Sequence, residues 1–183
     1  MELSGNLKEM EFSQLIGLIT HIEGILELWK LPRKRSAQLY IKRRKLRCIK
    51  VNGRFLDGLQ SKAFLAEMAT VNEGVFEFTA RQFRTPCKTP LNWPLDRILL
   101  SALTQADERL RSSDILPDPN IRFRLTQLAN PQSSLFLRAA CDLLDREQGA
   151  NAKEIASQLD LPLDQVRYYL YKLVERNKVA PAE

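Results

Sequence analysis

Two runs of alternating apolar residues, "AQLYI" (residues 37–41) and "LRCIKV" (residues 46–51), meet at four consecutive cations, Lys42-Arg43-Arg44-Lys45. A period of two on both sides of so short a polar tip commits the segment to an antiparallel β-hairpin, because a helix would scatter the same apolar residues around its circumference. Two strands alone cannot bury an apolar face, so the hairpin requires neighbours.

Those neighbours are legible on both sides of it. "ELSGNL" reads as a short opening strand, and "FSQLIGLITHI" then changes period, placing Leu15, Ile16, Leu18, Ile19 and Ile22 on one face of a helix that Ser13 is placed to cap. Gly24 stops that helix, and "ILELWKL" alternates as a half-buried strand. After the Asn52-Gly53 turn, "LQSKAFLAEMATV" brings Leu59, Ala63, Phe64 and Met68 together on a second helix, and "VFEFT" closes the pattern as another strand. The expected class is α+β: a mostly antiparallel sheet with its helices on one face.

The cations are concentrated. Residues 30–54 hold eleven of the 28 lysines and arginines and no acid, so the net charge of +6 arises there and the remainder of the chain is net negative. A patch of that density attracts polyanions.

Other chemistry is sparse. Cys48, Cys87 and Cys141 lie far apart without a Cys-x-x-Cys pair, and His21 is the single imidazole, so no metal site is expected and the cysteines read as three reduced thiols. His21, in an apolar helical run, reads as a packing or surface residue. No nucleophile elbow, phosphate-binding glycine loop or metalloprotease helix is present, which argues against an enzyme and against a cofactor. No apolar run approaches the roughly 20 residues a membrane helix needs, and the N-terminus lacks a secretory pattern, so a cytoplasmic protein without membrane contact is expected.

The order "LSGNL", "FSQLIGLI", "GILEL", "AQLYIKRRKLRCIKVNG", "AFLAEM", "EGVFEF" resembles the PATAN domain, a bacterial module found at the N-terminus of PatA-type response regulators. The resemblance covers residues 1–112, because "PLDRILLSALTQADERLRS" is similar to the helix that follows that domain's last strand. It implies signalling by protein–protein contact and supplies no catalytic residues. The family's central hairpin usually turns through an acidic residue and a glycine. Lys42-Arg43-Arg44-Lys45 departs from this, which predicts either a wider loop or a partner that compensates the charge.

Residues 80–92 read as a connector with Pro86 and Pro90, and residues 94–111 as a helix with Ile98, Leu99, Ala102 and Leu103 on its apolar side. That leucine-rich stripe is either core or a homodimer contact. Residues 113–131 read as a second connector.

Residues 132–183 carry the clearest motif. A first helix directs Leu135, Ala139, Leu143 and Leu144 inward, and "NAKEIASQLDLPLDQVRYYLYKLVERNKVA" has the spacing of a helix-turn-helix, with Asn151 as cap and Pro162 opening the second helix. The segment resembles the winged-helix DNA-binding domains of bacterial regulators. With Val166, Leu170, Leu173 and Val174 inward, Gln165, Arg167 and Tyr168 are the candidates for base edges of double-stranded DNA, and Tyr171, Lys172 and Arg176 for phosphates. Lys42, Arg43, Arg44, Lys45 and Arg47 are the phosphate candidates of the hairpin.

Two features oppose that reading. Residues 133–183 hold seven cations and eight acids, and after Val179 only "APAE" remains for a returning wing strand. The leading expectation is a dimeric DNA-binding regulator whose winged helix gives groove contact and whose hairpin gives phosphate contact. The alternative is a signalling adaptor in which both domains bind proteins, the hairpin docking an acidic partner.

Overall fold

The computed structural model describes residues 1–182. The chain divides into two compact units, Met1–Ala106 and Asp107–Glu183. It is an α+β protein, with six α-helices, a seven-stranded sheet and a small three-stranded sheet among the described residues.

The first unit contains β1 (Glu2–Asn6), α1 (Phe12–Ile19), β2 (Gly24–Leu31), β3 (Arg35–Lys42), β4 (Lys45–Val51), β5 (Arg54–Phe55), α2 (Gly58–Met68), β6 (Val75–Ala80), β7 (Trp93–Pro94) and the start of α3 (Leu95–Arg111). All pairings in its sheet are antiparallel, in the order β1-β6-β2-β3-β4-β5, with β7 beside β4. The alternation of the strands decides which face is covered. Leu26 and Leu28 of β2, Ala37, Leu39 and Ile41 of β3, Leu46 and Ile49 of β4, and Phe76 and Phe78 of β6 join α1, α2 and α3 in one buried cluster. Of the expected stripe, Ile98 and Ala102 belong to that cluster together with Leu95, and Leu99 packs against it, so the core takes up most of it.

Local chemistry sets the helix starts. Glu11, not Ser13, stands at the N-cap of α1, its N–H donating to Gln14 Oε1 at 3.2 Å. Asp57 caps α2 by accepting the Gln60 N–H at 2.8 Å. Position 24, the first of β2, requires glycine because a Cβ there would lie 2.4 Å from the Thr79 carbonyl oxygen.

The second unit contains β8 (Arg122–Leu125), α4 (Leu135–Leu144), β9 (Ala150–Asn151), α5 (Ala152–Leu159), α6 (Leu163–Glu175) and β10 (Val179–Pro181). β8, which lies within residues 113–131, corrects the expectation of a plain connector there: it is the central strand of the sheet β10-β8-β9. Val179 to Pro181 pair antiparallel with Leu125 to Phe123.

Asn151 caps α5 through its Oδ1 to the Glu154 N–H at 2.9 Å, and Asp160 ends that helix in the left-handed region at φ 52°. The buried face of α4 is Phe136, Leu137, Ala140, Leu143 and Leu144, so the stripe is shifted from the expected Leu135 and Ala139. The Phe136 ring stacks on Tyr169 at 4.7 Å.

Gly149 has φ +63°, and a Cβ on it would meet the Phe123 carbonyl oxygen at 2.2 Å. Gly149→Ala is expected to destabilise the second unit by about 2–4 kcal/mol, combining left-handed strain with a backbone clash that no side-chain rotation relieves. Chemical denaturation of the variant against the native chain measures it.

Candidate nucleic-acid interface

The cationic hairpin closes more tightly than expected. Lys42 pairs with Lys45, and Arg43 and Arg44 form the whole turn at φ 53° and 60°. Two positive φ values make a primed two-residue turn, whose twist suits the flanking strands but which favours Asn and Gly over arginine. The wider loop is thus corrected. Backbone contacts hold the turn: the Leu95 N–H donates to the Arg44 carbonyl at 3.1 Å, and β7 pairs Pro94 with Lys45.

The hairpin's cations separate by role. Arg43, Arg44 and Lys45 are exposed, and among the described residues no carboxylate pairs with them. Lys42 is engaged internally: its Nζ lies 3.1 Å from Glu23 Oε1, donates to the Phe83 carbonyl at 3.1 Å and sits 5.5 Å above the Phe83 ring. Arg47 is half-buried at a bulge, since Tyr40 opposes Cys48 and Ile41 opposes Leu46, and its Nε is enclosed without a partner. Lys42 and Arg47 thus differ from the other three phosphate candidates of the hairpin in being held within the first unit.

The positive charge is also not the property of one tip. Strand direction sends Arg43 and Arg44 to one end of the sheet and the β2–β3 connection, with Lys30, Arg33 and Lys34, to the other. Those three residues also have positive φ, at 53°, 61° and 56°.

Cysteine chemistry is corrected as well. Cys48 of β4 and Cys87 of the segment after β6 form a disulfide across a Cα–Cα distance of 6.2 Å, and Cys141 is a free thiol. Cys48 faces away from the helices because it opposes Tyr40, whose neighbours Leu39 and Ile41 point into the core. The bridge draws residues 81–92 over that outer face, where Phe83 meets Tyr40 edge-on at 5.5 Å. Separation by 39 residues hides such a pair from any spacing argument. His21 is exposed, and the described residues contain no cluster of three or more His, Cys, Asp or Glu able to hold a metal.

Helix α6 places two of the three expected base-reading residues inward and leaves Arg167 partly exposed. Gln165 is 0% exposed, its Oε1 accepting from Arg109 Nη1 at 2.9 Å. Tyr168 is 6% exposed and donates to Glu108 Oε2 at 2.5 Å. Arg167 donates to the carbonyls of Pro117 and Leu116 and to Asp164 Oδ1. The correction has a simple physical cause: residues 107–118 cover the face expected to meet a groove. Gln165 and Tyr168 replace Val174, which is 37% exposed, on the packed side. Lys172 bridges Glu108 and Glu175 at 3.5 and 3.1 Å, Tyr171 donates to Glu175 at 2.8 Å, and Arg176 is exposed.

These contacts shift titrations. The Tyr168 hydrogen bond, helped by Lys172, holds Glu108 below its ordinary carboxylate range, and burial followed by that same bond pushes the Tyr168 hydroxyl up. Arg122 holds Glu154 low with bonds of 2.8 and 3.0 Å, and Tyr171 and Lys172 hold Glu175 low. Carboxylates with depressed folded-state values contribute stability that is complete above about pH 4–5 and lost as pH falls through the folded values. Tyr168→Phe is expected to cost about 1 kcal/mol at neutral pH, Glu108 being partly exposed, and less once Glu108 is protonated and the bond is no longer charge-assisted. Denaturation at neutral and acid pH measures both arms.

Comparison with protein-family models, with curated proteins and with solved structures finds no match to this chain. No helix among the described residues is long and apolar enough to cross a membrane.

Proposed function

We propose that this chain is a nucleic-acid-binding regulator that grips phosphates through the hairpin tip of its first unit. The observation that carries this reading is the exposure of Arg43, Arg44 and Lys45, unpaired with any described acid, on a turn whose backbone favours other residues. A tight turn fixes where three positive charges stand, which lowers the ordering cost of meeting a phosphate backbone. The element order supports a PATAN-like first unit. The second unit's helix-turn-helix with a strand on either side supports a winged-helix reading, with β8 supplying the strand that the short tail lacks.

Titration of the protein with labelled duplex and single-stranded DNA at two salt concentrations tests the proposal. Three phosphate contacts give a slope of log K against log salt of about −2 to −3. Absence of binding at low salt overturns it.

A second reading is favoured by the covered face of α6. With Gln165, Arg167 and Tyr168 engaged within their own unit, the second unit meets a protein partner through other surfaces, and the chain acts as an adaptor. A partner captured by the variant Arg43→Ser/Arg44→Ser as well as by the native chain favours this reading.

A further inference from the structure

Helices cover one face of the large sheet and the disulfide-tethered segment covers part of the other, yet one end of that second face stays open. There Trp29 and Phe55 are each 36% exposed. A shallow, half-open cavity of about 180 Å³ lies beside them, lined by Trp29, Ser36, Gln38, Lys50 and Asn52 among others. Lys50 Nζ sits 5.6 Å above the Phe55 ring, so cation and aromatic alternate across the opening.

We propose that this open end stacks an unpaired base of a single-stranded nucleic acid on Trp29 while Arg33 and Lys34 take the adjoining phosphates. The inference rests on the reading above that the chain binds nucleic acid, and adds a second site to it with a narrower ligand class.

Charge complementarity selects the ligand. Lys30, Arg33 and Lys34 are exposed at this end and, with Lys50 beside them, outnumber the nearby exposed acids Glu73 and Glu77, while two further acids are bonded within the unit. Glu67 takes both guanidinium nitrogens of Arg35, at 2.9 and 2.5 Å, and Glu27 accepts from Gln38 Nε2. Arg35 also donates from Nε to the Pro32 carbonyl at 3.0 Å, which fixes the turn in which Arg33 and Lys34 take up left-handed backbone. Two cations are thus presented in a rigid frame.

The cavity supplies the rest. Asn52 accepts the Ser36 N–H at 2.9 Å through Oδ1, which leaves its amide NH₂ group without a protein partner among the described residues and available to a base carbonyl. Gln38 is held from both sides, donating to Glu27 and accepting from Tyr40 at 3.1 Å. A duplex keeps its bases stacked on one another and offers no ring face to Trp29. A lone nucleotide offers one phosphate to a patch that holds several cations. A flexible strand meets both demands.

The test uses the full chain and fluorescein-labelled oligothymidylate, oligouridylate and duplex DNA, each of about 12 nucleotides, by fluorescence anisotropy. Both single strands are expected to bind more tightly than the duplex. Trp29→Ala is expected to weaken single-strand binding by at least about tenfold with an unchanged salt slope, and Trp29→Phe to restore most of it. Arg33→Ser/Lys34→Ser is expected to flatten the single-strand slope by about 1.4. Unfolding midpoints confirm that each variant is folded. If duplex binds as well as single strand, or Trp29→Ala leaves affinity unchanged while Arg43→Ser/Arg44→Ser lowers it, the stacking site is overturned and the hairpin reading stands. If no nucleic acid binds at low salt, both fall.

Discussion

Reduction of the Cys48–Cys87 bridge is expected to lower the stability of the first unit by up to about 4 kcal/mol, the chain-entropy value for a closed loop of this length. For a unit of about one hundred residues this corresponds to a fall of roughly 20 °C in its unfolding midpoint. The bridge closes a long loop, and its release frees residues 81–92, which then lose the Phe83 contact with Tyr40. Urea unfolding with and without reductant, and of Cys87→Ser, measures the change. Thiol titration of the unfolded, unreduced protein gives an independent reading: one reactive thiol, Cys141, is expected, and a count of three shows that no bridge forms.

Replacing Arg43, Arg44 and Lys45 together by serine is expected to weaken duplex DNA binding by a few hundred-fold, about 10²–10³, at 0.1 M salt and to remove most of the salt slope, because each lost phosphate contact subtracts about 0.9 from it. Lys42→Ser provides the contrast. Lys42 is held by Glu23 and Phe83, so its loss acts on stability, by about 1 kcal/mol, with little change in the slope. Anisotropy titrations over a salt series separate the two. An unchanged slope in the triple variant excludes the tip as the phosphate contact.

The strands and helices of the first unit are legible in the sequence because their periods are clean: Leu26 and Leu28 against Glu27, or Leu39 and Ile41 against Tyr40, leave one solution for the covered face. The inward set of α6 is not. Gln165 and Tyr168 are polar by composition, and only the chain segment around Glu108 and Arg109, far away in sequence, gives them partners that permit burial. The same distance hides β8, whose four residues pair with strands that follow it by more than twenty positions. Alternation alone marks the hairpin tip, but it treats the cations there as one group, whereas the bulge at Arg47 and the Glu23 pair remove two of them. Trp29 and Phe55 carry no signal beyond alternation, since what makes them notable is the lack of cover above them.

The arginine turn has a corollary for protein engineering. The paired substitution Arg43→Asn/Arg44→Gly would relax two left-handed backbones, a gain on the order of 1–2 kcal/mol for each. A search for thermostable variants of this molecule will therefore drift toward neutral residues at that corner. Sturdiness and grip on polyanions compete there for the same two positions.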